Sequence, residues 1–96
     1  MAHFTLPAGT TSRAVTHRTV EEIWYVVAGR GEMWRRQVSR ESIVELSPGT
    51  CVTIPHGTTF QFRSIGPSPL EAVAVTMPPW PDADEASAAR GPWTPS

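Results

Sequence analysis

The chain contains no lysine and only one cysteine in 96 residues. Its eight basic residues are all arginine, nine carboxylates offset them, and the formal net charge is −1. Charges of both signs are interspersed, which excludes nucleic acid and an anionic membrane surface as expected partners. Cys51 has no second cysteine to pair with, so an internal disulfide is excluded and a reducing compartment is expected. No apolar run approaches the roughly 20 residues of a membrane span. The opening Met-Ala-His-Phe-Thr-Leu-Pro has neither a basic leader nor an apolar stretch. A cytoplasmic protein without a membrane partner is therefore expected. Helical periodicity is also lacking before residue 82. The length allows a single core and not two.

What is present is a series of short alternating stretches separated by turns. The most informative stretch runs from His17 to Gly31. It opens with a histidine and two carboxylates, passes through Ile23-Trp24-Tyr25-Val26-Val27-Ala28, and closes on Gly29-Arg30-Gly31. Aromatic and β-branched residues ending at glycine predict a strand and a tight turn. Alternation puts Glu22, Trp24 and Val26 on one face and Ile23, Tyr25 and Val27 on the other. Both faces are apolar, so cover is expected on both sides. Further strands are expected over residues 3–6, 10–17, 32–38, 42–46, 51–54, 58–63 and 70–77, with a polar break at Ser39-Arg40-Glu41. Ser47-Pro48-Gly49-Thr50 has the composition of a type II turn, and Pro55-His56-Gly57 ends the following strand. From Pro78 the composition changes. Two Pro/Trp clusters, around Trp80 and Trp93, flank an Ala-rich acidic piece, residues 82–90, with the composition of one or two helical turns. Docking of Trp80 or Trp93 on the barrel or on a partner chain is expected, because exposed tryptophans are costly.

Short strands with turn signals every 8 to 12 residues predict an all-β barrel or jelly roll. Two spacings then resemble the cupin superfamily. Its first motif is Gly, five residues, His, one residue, His, three or four residues, Glu, six residues, Gly. Gly9, Val15, His17, Glu22 and Gly29 stand at those positions. Its second motif is Gly, five residues, Pro, one residue, Gly, two residues, His, three residues, Asn. Gly49, Pro55, Gly57, Phe60 and Ser64 stand there. The resemblance implies a single-domain cupin β-barrel (a double-stranded β-helix, or jelly roll) over residues 1–77. A Pro-rich, part-helical tail over 78–96 would dock on it or on a partner.

In the family the three histidines and the glutamate hold a divalent metal inside the barrel. Carried over by position, His17 and Glu22 remain as donors, while Val15 and Phe60 replace two ligands with hydrocarbon. A catalytic metal wants at least three protein ligands, so no cofactor is expected, and any divalent metal would rest on an incomplete His17/Glu22 pair. His56 in the turn and His3 at the start are not counted as ligands. Val15, Trp24, Phe60 and Phe62 are expected to wall a mostly apolar chamber with His17 and Glu22 as its polar corner. The expected function is binding of a small, partly apolar molecule. Two alternatives stay open. One is a metal-free isomerase or cyclase in which His17 and Glu22 form a catalytic acid/base pair. The other is a metal-dependent cupin enzyme of the oxygenase or isomerase type. Arg13, Arg35 and Arg63 are read as solvated or paired with Glu32 or Glu45, and Cys51 as a small core residue. Ile23, Tyr25 and Val27 need a cover, from the N-terminal strand or from a second subunit, and a homodimer is expected.

Overall fold

The computed structural model describes residues 2–17, 20–77 and 86–96. The described residues form nine strands and no helix: β1 (Ala2–Leu6), β2 (Ala14–His17), β3 (Glu21–Ala28), β4 (Gly31–Gln37), β5 (Arg40–Leu46), β6 (Cys51–Ile54), β7 (Thr59–Ser64), β8 (Leu70–Met77) and β9 (Ala86–Ala89). They build two antiparallel sheets, ordered β1-β8-β3-β6 and β5-β4-β7-β2-β9. The strands end where the sequence supplies turn chemistry. At Ser47-Pro48-Gly49-Thr50 the Thr50 amide donates to the Ser47 carbonyl at 2.9 Å, and Gly49 takes φ +91° as a type II turn requires. Gly29 (φ +82°) passes so close to Pro69 that a Cβ would lie 2.2 Å from its carbonyl oxygen. The β4–β5 hairpin turns at Val38-Ser39, one position earlier than the polar break suggests, and pairing resumes at Arg40.

Cross-strand registers fix which side chains point inward. On the first sheet Phe4 and Val26 flank Ala72, and Val52 and Ala74 flank Trp24. On the second, Val44 and Phe62 flank Met33, while Ser42, Arg35, Phe60 and Val15 form one row across four strands. The two inner faces meet in one core containing Trp24, Val26, Met33, Leu46, Val52, Ile54, Phe60 and Leu70. Trp24 is 1% exposed and packs edge-on against Phe4 at 4.6 Å and Phe62 at 4.7 Å between ring centroids. Burying each such side chain is worth roughly 1.5–3 kcal/mol, and each aromatic pair about 0.5–1.5 kcal/mol more.

The outer faces differ. On the second sheet the C-terminal segment lies across β7. The buried Gln61 amide donates to the carbonyls of Ser12 (2.9 Å) and Trp93 (2.7 Å) and accepts from the Trp93 amide (3.1 Å). Arg63 pairs with Glu32 and stacks 4.2 Å above the Trp93 ring. Trp80 lies outside the described residues. The expected helical turns do not form over Ala86–Ala89, which pairs with β2 as an antiparallel edge strand. Alanine is the best helix former, but propensity is a weak determinant, and the open ladder of β2 overrides it.

On the first sheet no described residue covers the outer face: Tyr25 is 51% exposed, Met77 47%, Val27 42% and Val75 39%. Cover of β3 on both sides is thus not supplied by the described residues. The N-terminal strand pairs edge-to-edge with β8 and extends the sheet instead of lying over it. Cys51 shares this outer face as the cross-strand partner of Tyr25, and is an exposed thiol rather than a core residue. His3, on the same face, pairs with Glu71 at 3.3 Å.

Candidate functional site

His17 closes β2 and Glu22 stands near the start of β3, so the connection between them brings both to one end of the sandwich. Alternation aims Glu22 inward with Trp24, two residues on along the same face. Both polar residues are buried, His17 to 5% exposure and Glu22 to 8%. His17 Nδ1 lies 3.7 Å from Glu22 Oε2, close enough for electrostatic attraction but too long for a hydrogen bond. The other carboxylate oxygen accepts a hydrogen bond from Trp24 Nε1. The backbone holds the histidine too, since its carbonyl accepts from the Gly57 amide at 3.0 Å. A buried carboxyl group is costly unless hydrogen-bonded, and the indole N–H of Trp24 supplies a hydrogen bond here.

Val15 and Phe60 face each other across β2 and β7, and both contribute to the core. The His17 ring meets Phe60 edge-on at 5.0 Å. The residues at all four positions expected to converge (15, 17, 22 and 60) therefore point into the interior at one end. The aromatic residues are not free walls, however. Trp24 touches Phe62, and Phe60 stacks on Phe62 at 6.5 Å with planes 14° apart. Trp24, Phe60 and Phe62 pack on one another as much as they face any open space.

Open space lies elsewhere, and none of Val15, His17, Glu22, Trp24, Phe60 and Phe62 lines it. A cavity of about 410 Å³ is lined by Arg35, Gln37, Arg40, Glu41, Ser42, Thr53, Pro55 and Thr58. These residues belong to β4, β5, β6 and the turn after β6, so the cavity sits where edge strands β5 and β6 of the two sheets approach. Arg35 spans the gap, its Nη1 donating to the Thr53 carbonyl at 2.6 Å. Phe60 links the cavity to the polar pair: it is the register partner of Arg35 on one side and touches His17 on the other.

The family model described as a cupin domain matches residues 2–76. The chain is a cupin. It is similar to an uncharacterized protein of Methanocaldococcus jannaschii, at 31% identity over 88% of this chain and 64% of the relative. The cupin therefore spans less than two thirds of that relative's length. Among solved structures it resembles a dTDP sugar isomerase of Desulfovibrio desulfuricans (TM-score 0.82, 17% identity, 93% of this chain and 62% of the other). It also resembles the capsular polysaccharide assembling protein CapF of Staphylococcus aureus (TM-score 0.79, 21% identity, 90% and 26%). At these identities the two structures speak for the fold alone.

Many cupins carry a divalent metal, so the donor set of this one can be tested for fit. Two side chains at the converging corner offer lone pairs, His17 and Glu22, and one Glu22 oxygen is already taken by the Trp24 N–H. Val15 and Phe60 offer none. Among the described residues no group of three or more His, Cys, Asp or Glu is placed to hold a cation. This corner does not fit the three-ligand requirement of a catalytic metal. No helix among the described residues is long and apolar enough to cross a membrane.

One cavity residue was read differently from sequence. Arg35 is not a solvated surface group: it lies on the inner face in one row with Ser42, Phe60 and Val15. The signal was available in the alternation of β4, since counting by two from the buried Met33 reaches Arg35. The adjacent Met33-Trp34 pair obscured it. Arg63 pairs with Glu32 at the outer surface, and Arg13 is exposed.

Proposed function

We propose that this cupin binds a small, partly apolar organic molecule at the end of the sandwich where His17 and Glu22 are buried. The observation that supports the reading is a polar pair with too few donors for a metal, linked through Phe60 to an open cavity of about 410 Å³. The volume is typical of small-molecule sites, but the lining departs from the mostly apolar chamber expected from sequence, since Pro55 is its one apolar residue. The ligand would be oriented by His17 and Glu22, with Phe60 and Phe62 as apolar contacts. The test is to release and identify, by mass spectrometry, small molecules retained by the untagged chain and by its His17→Gln variant. A discrete compound retained by the wild type and depleted at least about tenfold in the variant is expected, the loss of one hydrogen bond to a charged group. Equal retention by both would remove His17 from the site.

A metal-free acid–base reaction is the second reading, favoured by the proximity of an imidazole and a carboxylate in a water-poor corner. It separates from simple binding by turnover: His17→Gln would then abolish conversion of the bound compound rather than weaken its retention.

The same proposal includes a homodimer in the cytoplasm. The exposed row of Tyr25, Val27, Val75 and Met77 is the kind of contiguous apolar surface that a second subunit covers. The exposed Cys51 suits a reducing compartment.

A further inference from the structure

Two buried polar atoms in the cavity wall have no hydrogen-bond partner among the described residues. They are Arg35 Nε and Thr58 Oγ1. Thr58 is 0% exposed. Buried donors left unmatched are rare, and each calls for an explanation. The explanation here is constrained by charge and geometry. Arg35 is already anchored through Nη1 on the Thr53 carbonyl, which fixes the guanidinium plane. A guanidinium so held presents its remaining N–H groups as a fork that matches two oxygens of one anion. The ionisable residues lining the cavity are Arg35, Arg40 and Glu41. The Glu41 carboxylate is turned to the outer face, where Trp34 Nε1 donates to it at 2.9 Å, so Arg35 and Arg40 leave the inner side positive and suited to an anion.

We infer that this end of the cavity binds a carboxylate group, with the Arg35 guanidinium and the Thr58 hydroxyl as its donors and Arg40 as the flanking charge. The inference rests on the small-molecule reading and narrows it: the ligand is an organic acid whose apolar part reaches towards Phe60 and the His17–Glu22 corner.

The test uses the ¹⁵N-labelled full chain and three probes: benzoate, benzamide of the same shape without the charge, and inorganic phosphate. Benzoate should shift the Arg35 Nε–H resonance saturably, with Kd on the order of millimolar for so small a ligand. Benzamide and phosphate should bind about tenfold more weakly or not at all. Arg35→Gln should weaken benzoate about tenfold or more. Because Arg35 also bridges the sheets, Thr58→Val gives a second measure that leaves that bridge in place; it should weaken benzoate severalfold with the spectrum otherwise unchanged. Equal binding of benzamide, preferential binding of phosphate, or unaltered affinity in both variants would overturn the assignment. So would an Arg35 resonance unmoved by benzoate, the result expected if ordered water alone satisfies these atoms. The Trp24 Nε1–H resonance reports separately on the His17–Glu22 corner. A probe that moves Trp24 but not Arg35 would overturn the carboxylate site while leaving the small-molecule reading intact.

Discussion

Replacing Val15 and Phe60 together by histidine should convert the inner corner into a metal site. The two residues are direct partners across β2 and β7, and such pairs place their Cβ atoms about 5 Å apart. The Phe60 ring already lies 5.0 Å from His17, which is 3.7 Å from Glu22. Three imidazoles and one carboxylate would then converge, a donor set that suits zinc or cobalt. Without metal the variant pays for the change. Phe60 is 3% exposed, and losing its buried ring while inserting polar nitrogens should cost about 3–5 kcal/mol. For a domain of this size that lowers Tm by roughly 15 °C or more. Metal bound with Kd near 10 nM and supplied at about 100 µM would return about 5 kcal/mol, offsetting the loss. Calorimetric titration with Co²⁺, with its tetrahedral absorption bands as a second readout, and thermal melting with and without Zn²⁺ measure both halves. A double variant that binds no tighter than wild type would refute the reasoning, because residues 15, 17, 22 and 60 would then not converge.

Three further outcomes are expected. Val38→Gly should stabilise the fold by about 1 kcal/mol in thermal or urea melts, because Val38 is 99% exposed and a β-branched residue at φ +55° is strained; a loss of stability would show that the turn does not take this form. Gly91→Ala should destabilise by about 1–3 kcal/mol, since a Cβ there would lie 2.2 Å from Gln61 Oε1; a neutral result in the same melts would mean the tail does not dock at Gln61. Tyr25→Glu combined with Val75→Glu should yield monomers in sedimentation where the wild type sediments as a dimer, through loss of apolar cover and like-charge repulsion; an unchanged sedimentation coefficient would remove this face as the interface.

The fold was legible because its signals are local. Glycines and prolines fell at the turns, and alternation from Glu22 to Val26 gave the inward face of β3 without any tertiary information. The positions of Val15, His17, Glu22 and Phe60 followed from the motif spacing. The remainder depended on which element covers which. Ala86–Ala89 has helical composition but completes a ladder whose free edge, β2, is far away in sequence. Tyr25 and Cys51 look equally buried or exposed until the N-terminal strand is known to extend the sheet rather than cover it. The cavity was the hardest feature to see, because it joins the β4–β5 hairpin to β6 and its following turn in the other sheet, and its arginine is indistinguishable in composition from a surface one.

The most direct test of the central claim, that hydrocarbon at two of four inner positions has replaced a metal cage with a small-molecule site, is the native mass spectrum of the untagged full chain after growth in metal-replete medium. The account predicts the chain mass plus a dissociable organic adduct and no stoichiometric cation. A chain carrying one divalent ion, retained through desalting, would contradict it.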